Sequence, residues 1–180
     1  MKKSLIAALV LASASFGSTA VLAQVGESPQ PLDIDDVSAF FGDTFAGGNE
    51  GATFADRFTF SVDGTIGANL DAVVASITRS ADVGLDITAL ALYGADDSLI
   101  SSGTQLQTGV FDLWSISSSN LAAGDYYLQV SGALVSDTSA SFGGAIALAP
   151  VPEPATVGMM LGGLGVLGFL ARRRRPQADA

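Results

Sequence analysis

Apolar and polar residues alternate with a period of two through the middle of the chain, and this pattern constrains the fold more than any other feature. Because successive side chains of a β-strand point to opposite faces, such alternation predicts strands with one buried face. The clearest example is residues 54–62, which end at an Asp63-Gly64 pair typical of a turn. One parity of this stretch holds Phe54, Phe58, Phe60 and Val62, and the other holds Arg57, Thr59 and Ser61.

Further short apolar runs follow, and each is bounded by Gly, Asp, Asn or Ser. Residues 70–78 are apolar at Val73, Ala75 and Ile77, which predicts that these three side chains face the core. Residues 85–93 are apolar on both parities, which predicts a central strand that is covered on both faces. The spacing of these runs predicts an all-β fold, an antiparallel β-sandwich with a jelly-roll-like body over residues 37–149.

The composition excludes several kinds of chemistry. The chain has 180 residues with no Cys and no His, so it forms no disulfide, no zinc site built from Cys or His, and no Cys or His catalyst. Its formal net charge is −10 at pH 7, and Arg57 and Arg79 are the only cations between the two ends. Since so acidic a body repels phosphate groups, we expect no nucleic-acid partner.

The N-terminal end has the three parts of a secretory signal peptide. Lys2 and Lys3 form a basic region, an apolar run follows, and Val21-Leu22-Ala23 places small or β-branched residues where a signal peptidase reads. We therefore predict a signal peptide over residues 1–23, export of the protein and signal peptidase as a partner. Cleavage after Ala20 is the alternative.

Residues 24–36 contain two prolines and several acids, which predicts an extended acidic leader. Asp33, Asp35 and Asp36 offer the oxygen ligands that calcium prefers, but the stretch lacks the Gly turn and the downstream Glu of a calcium loop. We favour a solvated tether and predict no cofactor, with calcium as the alternative.

The C-terminal end also has three parts in a fixed order. Pro150, Pro152 and Pro154 each fix φ and disfavour helix in the preceding residue, so Glu153 is displayed on an extended backbone. Residues 155–171 carry no charge and predict a C-terminal transmembrane helix about 25 Å long. A basic block closes the segment and predicts a membrane stop on the cytoplasmic side: Arg172, Arg173, Arg174 and Arg175.

Val151-Pro152-Glu153-Pro154, the Gly-rich and Leu-rich span and the Arg block together resemble the PEP-CTERM sorting signal of Gram-negative bacteria. The resemblance implies that Pro152, Glu153 and Pro154 are recognised by an exosortase, a membrane-embedded cysteine protease. It also implies a transient, anchored intermediate at the cytoplasmic membrane and delivery to the cell surface or extracellular matrix, with a link to exopolysaccharide or biofilm. We assign residues 150–180 to this sorting region.

A second resemblance lies in the body. Phe54, Asp56 and Phe58 have the spacing of the FxDxF type of PEP-CTERM protein, and residues 41–45 repeat that spacing. In an extended segment these three side chains share one face, and an Asp between two buried rings needs hydrogen-bond partners such as turn amides or the neighbours of Arg57. We therefore predict a structural role for this motif rather than a catalytic one.

Three functions stay open at this point. We favour a non-enzymatic, exported surface or matrix protein that an exosortase sorts and processes, because targeting signals flank a body without a nucleophile–base pair. The first alternative is an exported carbohydrate-binding or carbohydrate-active sandwich, in which catalysis would need paired carboxylates. The second is an unprocessed inner-membrane protein with a periplasmic β domain. The carboxylates that qualify for catalysis by residue type are Glu50, Asp56, Asp96, Asp97 and Asp112.

Overall fold

A computed structural model describes residues 24–26, 28–34, 37–64, 67–151 and 154–173. The predicted signal peptide lies outside these ranges, as do Asp35, Asp36, Pro152, Glu153, Arg174 and Arg175. The described residues form eleven strands and one helix, α1 (Pro154–Arg173). The strands are β1 (Gln24–Val25), β2 (Gln30–Pro31), β3 (Ser38–Phe45), β4 (Thr53–Val62), β5 (Ala68–Ile77), β6 (Leu85–Gly94), β7 (Leu99–Ser102), β8 (Thr104–Gln107), β9 (Phe111–Leu121), β10 (Gly124–Leu134) and β11 (Ala140–Pro150).

The strands form two sheets. The first has the order β1-β4-β10-β6-β7, with β2 also paired to β4, and the second has the order β3-β11-β5-β9-β8. All pairs are antiparallel except those that β1 and β2 make with β4, which are parallel. The chain passes from one sheet to the other at most of its connections, as in a jelly roll. The predicted all-β fold with two antiparallel sheets is confirmed.

The core lies between the sheets and is built from the alternation seen in the sequence. Every second residue of β4 is buried, which confirms the strand predicted over 54–62. Five rings from three strands meet in this core with centroid separations of 4.8 to 6.1 Å, at angles from nearly parallel to perpendicular. We call them the phenylalanine cluster: Phe41, Phe45, Phe54, Phe58 and Phe142.

Two glycines make room for this cluster. Gly144 of β11 is paired with Phe41 of β3, and Gly132 of β10 is paired with Phe54 of β4. A Cβ atom at either glycine would overlap the ring of its paired phenylalanine. Each of these two rings therefore packs directly on the backbone of a glycine in the neighbouring strand.

Two predictions about individual strands were wrong in detail. In β5 the buried residues are Leu70, Ala72 and Val74, whereas Val73 is 47% exposed and Ile77 is 77% exposed. The parity that contains Leu70 and Val74 faces the core, and the apolar pattern of the strand alone does not decide between its two faces.

In β6 the apolar residues on both parities do not reflect a strand covered on both faces. The register with β10 shifts between Ser131 and Gly132, so Ala89 and Ile87 face consecutive residues of the partner. This β-bulge switches the parity of the strand, and it buries Leu85 and Ile87 before it and Leu90 and Leu92 after it.

The described part of the leader pairs with the body. β1 and β2 add to the free edge of β4, and the amide of Leu32 donates to the carbonyl of Thr59 over 2.8 Å. Val25, Leu32 and Ile34 are half-buried against the core. The leader is extended, as its prolines predict, but it closes an open edge of the first sheet, which limits pairing with other chains.

Helix α1 occupies the position of the predicted transmembrane helix over 155–171, but that prediction is corrected. No helix in the described ranges is long and apolar enough to cross a membrane. Five of the residues in α1 are glycines, which add no apolar side-chain area.

Adjacent phenylalanines on β3 allow a matched test of the core. Phe41 is 8% exposed and packs on Phe58 with a centroid distance of 4.9 Å, whereas Phe40 is 88% exposed. We expect Phe41→Ala to lower the free energy of unfolding by about 3–5 kcal/mol, because it removes a buried ring and leaves a cavity. Phe40→Ala should change it by less than about 0.5 kcal/mol. Urea denaturation measures both, and equal losses in the two variants would contradict this core.

Candidate functional site

The FxDxF motif lies on the inner face of β4. Phe54 and Phe58 are 2% and 0% exposed, and Asp56 between them is 1% exposed. The pairing with β10 sets Asp56 opposite Val130, so its neighbours on that strand are apolar. A carboxyl group is therefore held inside an apolar core, where an ionised form without a partner would be costly.

The partner of Asp56 is Asp43, from the segment that repeats the motif. Asp43 lies on β3 between Phe41 and Phe45, and it is paired with Phe142 of β11. Its side chain is hydrogen-bonded to Asp56. The two segments with the same spacing thus face each other across the sandwich, and we call the two acids the carboxyl pair. Asp43 is not among the partners expected from the sequence, which were turn amides or neighbours of Arg57.

Burial first, then the charge of Asp43 and the hydrogen bond to it, together raise the pKa of Asp56 to about 7. Atom Oδ2 of Asp56 is buried and has no hydrogen-bond donor against it. Two carboxyl groups offer only acceptors unless one of them carries a proton. The hydrogen bond between the two acids therefore requires a proton on one of them.

The leader covers the carboxyl pair. Gly26 follows β1 with φ of +111°, and a Cβ atom there would overlap Oδ1 of Asp56. Beside it is a cavity of about 220 Å³, lined by Val25, Gly26, Asp43, Thr44, Phe45, Ala46 and Asn49. Within the described residues no group of three Asp, Glu, Cys or His side chains is arranged to hold a metal.

A second polar site lies on the outer face of the first sheet. Arg57 places a guanidinium nitrogen 3.1 Å from a carboxylate oxygen of Asp97, and the same oxygen accepts a 2.6 Å hydrogen bond from the hydroxyl of Tyr127. The guanidinium also lies over the ring of Tyr127, 4.6 Å from its centroid. The ring of Tyr93 stacks on that of Tyr127 at 5.1 Å.

These side chains border a cleft of about 660 Å³, a volume in the range of small-molecule sites. One wall is the leader and the other is the outer face of β4 and β10. Burial, and then the bond to Asp97, raises the pKa of Tyr127 to about 12, so this hydroxyl stays a donor at physiological pH. We call it the Arg57 cleft: Pro29, Pro31, Leu32 and Ile34 on the leader side, and Arg57, Thr59, Asp97, Asp125 and Tyr127 on the sheet side.

The other candidate carboxylates lie apart from the carboxyl pair. Asp112 is 1% exposed and accepts hydrogen bonds from the amides of Gly109 and Ile87 at 3.1 and 3.3 Å. Asp96 accepts bonds from the amide and hydroxyl of Ser98, which lower its pKa. Glu50 is exposed in the loop before β4. Asp112 and Asp96 therefore hold local backbone in place.

The C-terminal segment begins where the second sheet ends. β11 runs to Pro150, which is paired with Ala68, and the amide of Val151 donates to the carbonyl of Gly67 over 3.3 Å. Pro154 is the first residue of α1, and Arg172 and Arg173 are in its last turn. Pro152, Glu153, Arg174 and Arg175 lie outside the described residues, so the geometry of the tripeptide and of the full Arg block is a matter of sequence alone.

Residues 150–175 match the family model of the PEP-CTERM protein-sorting motif. The recognition made from Pro152-Glu153-Pro154 and the Arg block is confirmed, and the motif indicates an exported protein that is targeted by an exosortase. The match covers the segment after β11, and the FxDxF subtype stays a prediction. No curated protein is significantly similar to the chain.

Sequence reasoning missed the contact between the two FxDxF-spaced segments. The signal that could have found it is the repeated spacing itself, since Phe41, Asp43 and Phe45 share a parity as Phe54, Asp56 and Phe58 do. Two strands with identical inward patterns pack well when they belong to opposite sheets. The Arg57 cleft had a weaker signal, because its residues come from four separate parts of the chain.

The carboxyl pair predicts how stability depends on pH. An Asp side chain in the unfolded chain has a pKa of about 3.8, so between about pH 4 and pH 7 the folded protein holds a proton that the unfolded chain has released. The free energy of unfolding therefore falls as pH rises through this window, by an amount on the order of 3 kcal/mol. Asp56→Asn cannot titrate, so its stability relative to the parent protein should rise from pH 4 to pH 8.

Urea midpoints in buffer containing EDTA measure this difference. Asp82→Asn, which alters an exposed acid in the loop after β5, is the control and should run parallel to the parent protein. If the urea midpoints of Asp56→Asn changed with pH in the same way as those of the parent protein, the raised pKa of Asp56 would be contradicted.

Proposed function

We propose that the protein is a non-enzymatic component of the cell surface or extracellular matrix, delivered there after an exosortase processes its C-terminal segment. The observation that carries the proposal is the PEP-CTERM protein-sorting motif at 150–175, which follows directly on the last strand of the sandwich. A link with exopolysaccharide and biofilm fits such a destination. The host would be a Gram-negative bacterium, in which the intermediate is anchored at the cytoplasmic membrane before release.

Two features of the body support a role in binding or assembly. Four of the five acids considered for catalysis are engaged: Asp97 pairs with Arg57, Asp96 with Ser98, Asp112 accepts from backbone amides, and Asp56 faces Asp43 inside the core. The leader strands cover the edge of β4 in the first sheet. Both features suit a stable domain that must persist outside the cell.

Replacing the tripeptide tests the sorting step. We expect the triple variant Pro152→Ala, Glu153→Ala, Pro154→Ala to be exported, because its signal peptide is unchanged, and to accumulate as a species that still ends at Ala180. The reason is that the peptide loses its displayed carboxylate and its proline-fixed backbone. Intact mass and cell fractionation measure processing and location.

The control for this experiment is Pro176→Ala, a proline beyond the Arg block, which should be processed like the parent protein. The proposal fails if the triple variant has the mass and location of the parent protein.

A second candidate function is glycan binding in the Arg57 cleft. The favouring observation is that a guanidinium, three carboxylates and the ring of Tyr127, which Tyr93 supports by stacking, surround one cleft of suitable volume. Aromatic faces and bidentate polar groups are what sugars need, since sugars have apolar C–H faces and many hydroxyls. The proposal takes the exopolysaccharide of the producing organism as the ligand.

The two arginines of the body provide a matched pair for this test. We expect Arg57→Ala to weaken binding of the exopolysaccharide by about tenfold or more, since it removes a charged donor and frees the Tyr127 ring. Arg79→Ala, which lies in the loop after β5, should bind like the parent protein. Affinity electrophoresis in gels that contain the polysaccharide measures both. If the parent protein shows no retardation, or Arg79→Ala loses it equally, the cleft is not the binding site.

A further inference from the structure

The edge of β3 in the second sheet differs from the other sheet edges in the described part of the chain. In the first sheet, β1 and β2 cover the edge of β4. The edge strands β7 and β8 have four residues each, and the register of each with its neighbour shifts once. Short strands, bulges and coverings all limit the pairing of an edge with other chains. β3 has none of these protections, since its eight residues stay in unbroken register with β11.

The hydrogen bonds between β3 and β11 show which backbone groups point out of the sheet. The amide of Leu148 donates to the carbonyl of Val37 over 2.7 Å, and this pair continues the register of the two strands. Because hydrogen-bonded and non-hydrogen-bonded pairs alternate along an antiparallel ladder, every second residue from Val37 bonds to β11. The N–H and C=O groups of Ser38, Phe40 and Gly42 therefore point away from β11, and they meet no hydrogen-bond partner among the described residues.

The C-terminal end of the strand is different. The amide of Thr44 also points outward by this alternation, but it donates to Oδ1 of Asp43 over 2.6 Å. A side chain of β3 itself thus occupies the outward donor at this end. The open part is residues 38–42, which we call the β3 edge.

The β3 edge carries an exposed aromatic ring at its centre. Phe40 lies beside Ala145 of β11, which in turn lies beside Val73 of β5. Phe40 is 88% exposed and Val73 is 47% exposed, so an apolar row on the outer face of the sheet ends at the β3 edge. A contiguous apolar row of this kind, unlike a single exposed side chain, is typical of a contact surface.

Charge favours a second copy of the chain as the partner at this edge. The net charge of the chain is −10, so two copies repel each other wherever acidic surfaces meet. Residues 38–42 contain no charged side chain, and neither do residues 143–147 of β11, which are paired with them. Two copies can therefore meet along the β3 edge without placing like charges opposite each other in the contacting strands.

We propose that two copies of the chain associate by antiparallel pairing of their β3 edges about a two-fold axis at Phe40. Ser38 of each copy then faces Gly42 of the other, and the outward groups of three residues per copy form about six hydrogen bonds. Identical antiparallel strands are self-complementary, as a two-fold interface requires. The two Phe40 rings lie opposite each other, and such cross-strand aromatic pairs stabilise strand pairing.

The paired edges join the second sheets of the two copies into one continuous sheet. The contact involves one short strand segment from each copy, so the association is weak and depends on concentration. The competing occupant is an extended strand from a different protein, which would use the same backbone groups. The two occupants differ in one respect, because only pairing between copies lets the purified chain associate by itself.

Sedimentation equilibrium of the purified full-length protein over a range of concentrations tests the proposal. We expect a monomer and a dimer, with the dimer fraction rising with concentration. Phe40→Glu should weaken the association at least about tenfold, because it places like charges directly opposite each other. Ile77→Glu is the matched control and should associate like the parent protein. Ile77 is 77% exposed on the same sheet, but it lies on β5, which β11 separates from β3.

A second variant tests the backbone pairing separately from the rings. Ser38 is the first residue of β3 and its N–H points outward, so Ser38→Pro leaves the bonds to β11 intact. It should also weaken the association, because it removes one outward donor from each copy. Far-ultraviolet circular dichroism checks that each variant is folded.

Four results would overturn the proposal. The first is a parent protein that stays monomeric at about 1 mM, which leaves a different protein as the occupant of the edge. The second is equal weakening in Phe40→Glu and Ile77→Glu, which indicates unspecific contact between apolar side chains. The third is unchanged association in Phe40→Glu, which places the contact elsewhere, such as on the exposed apolar side chains of α1. The fourth is unchanged association in Ser38→Pro, which excludes strand pairing.

Discussion

Two carboxyl groups facing each other among five phenylalanine rings form the contact on which this half of the sandwich depends. The rings supply buried apolar area and mutual stacking, which stabilise the contact between β3, β4 and β11. The acids oppose that gain unless a positive charge lies between them. The position of the leader follows from this constraint, since only a glycine can pass over Asp56 at such close range.

The sequence predicted the parts of the fold that depend on local pattern. Alternation over 54–62 identified β4 and its buried face, because period two is a direct consequence of strand geometry. The parity of β5 and the bulge in β6 could not be predicted in the same way, because both depend on which sheet the strand joins and on its register. In strands rich in Ala and Ser the two faces have nearly equal apolar character, so packing against the other sheet determines which face is buried.

The candidate sites also differ in whether their residues are close together or far apart in the sequence. The tripeptide, the apolar span and the Arg block follow one another in a single stretch of the chain, so the sequence alone was sufficient to identify the sorting segment. The carboxyl pair joins residues from two strands in different sheets, and the Arg57 cleft joins the leader, β4, β10 and the turn that contains Asp97. Such sites depend on long-range contacts, and only repeated spacing in the sequence hinted at the first of them. The aromatic residues of FxDxF thus pack in the core, and the acid between them contacts Asp43 of the opposite sheet.

The way in which β11 leaves the sheet has a steric consequence. Pro150 is paired with Ala68, which begins β5 just after the loop that leaves β4, so the chain exits beside that loop. Only residues 151–153 separate β11 from α1, a reach of roughly 10 Å when extended. An enzyme that cuts this linker must fit between a folded domain and the segment that holds it. The loop between β4 and β5 therefore lies beside the start of this linker, where a processing enzyme would have to approach.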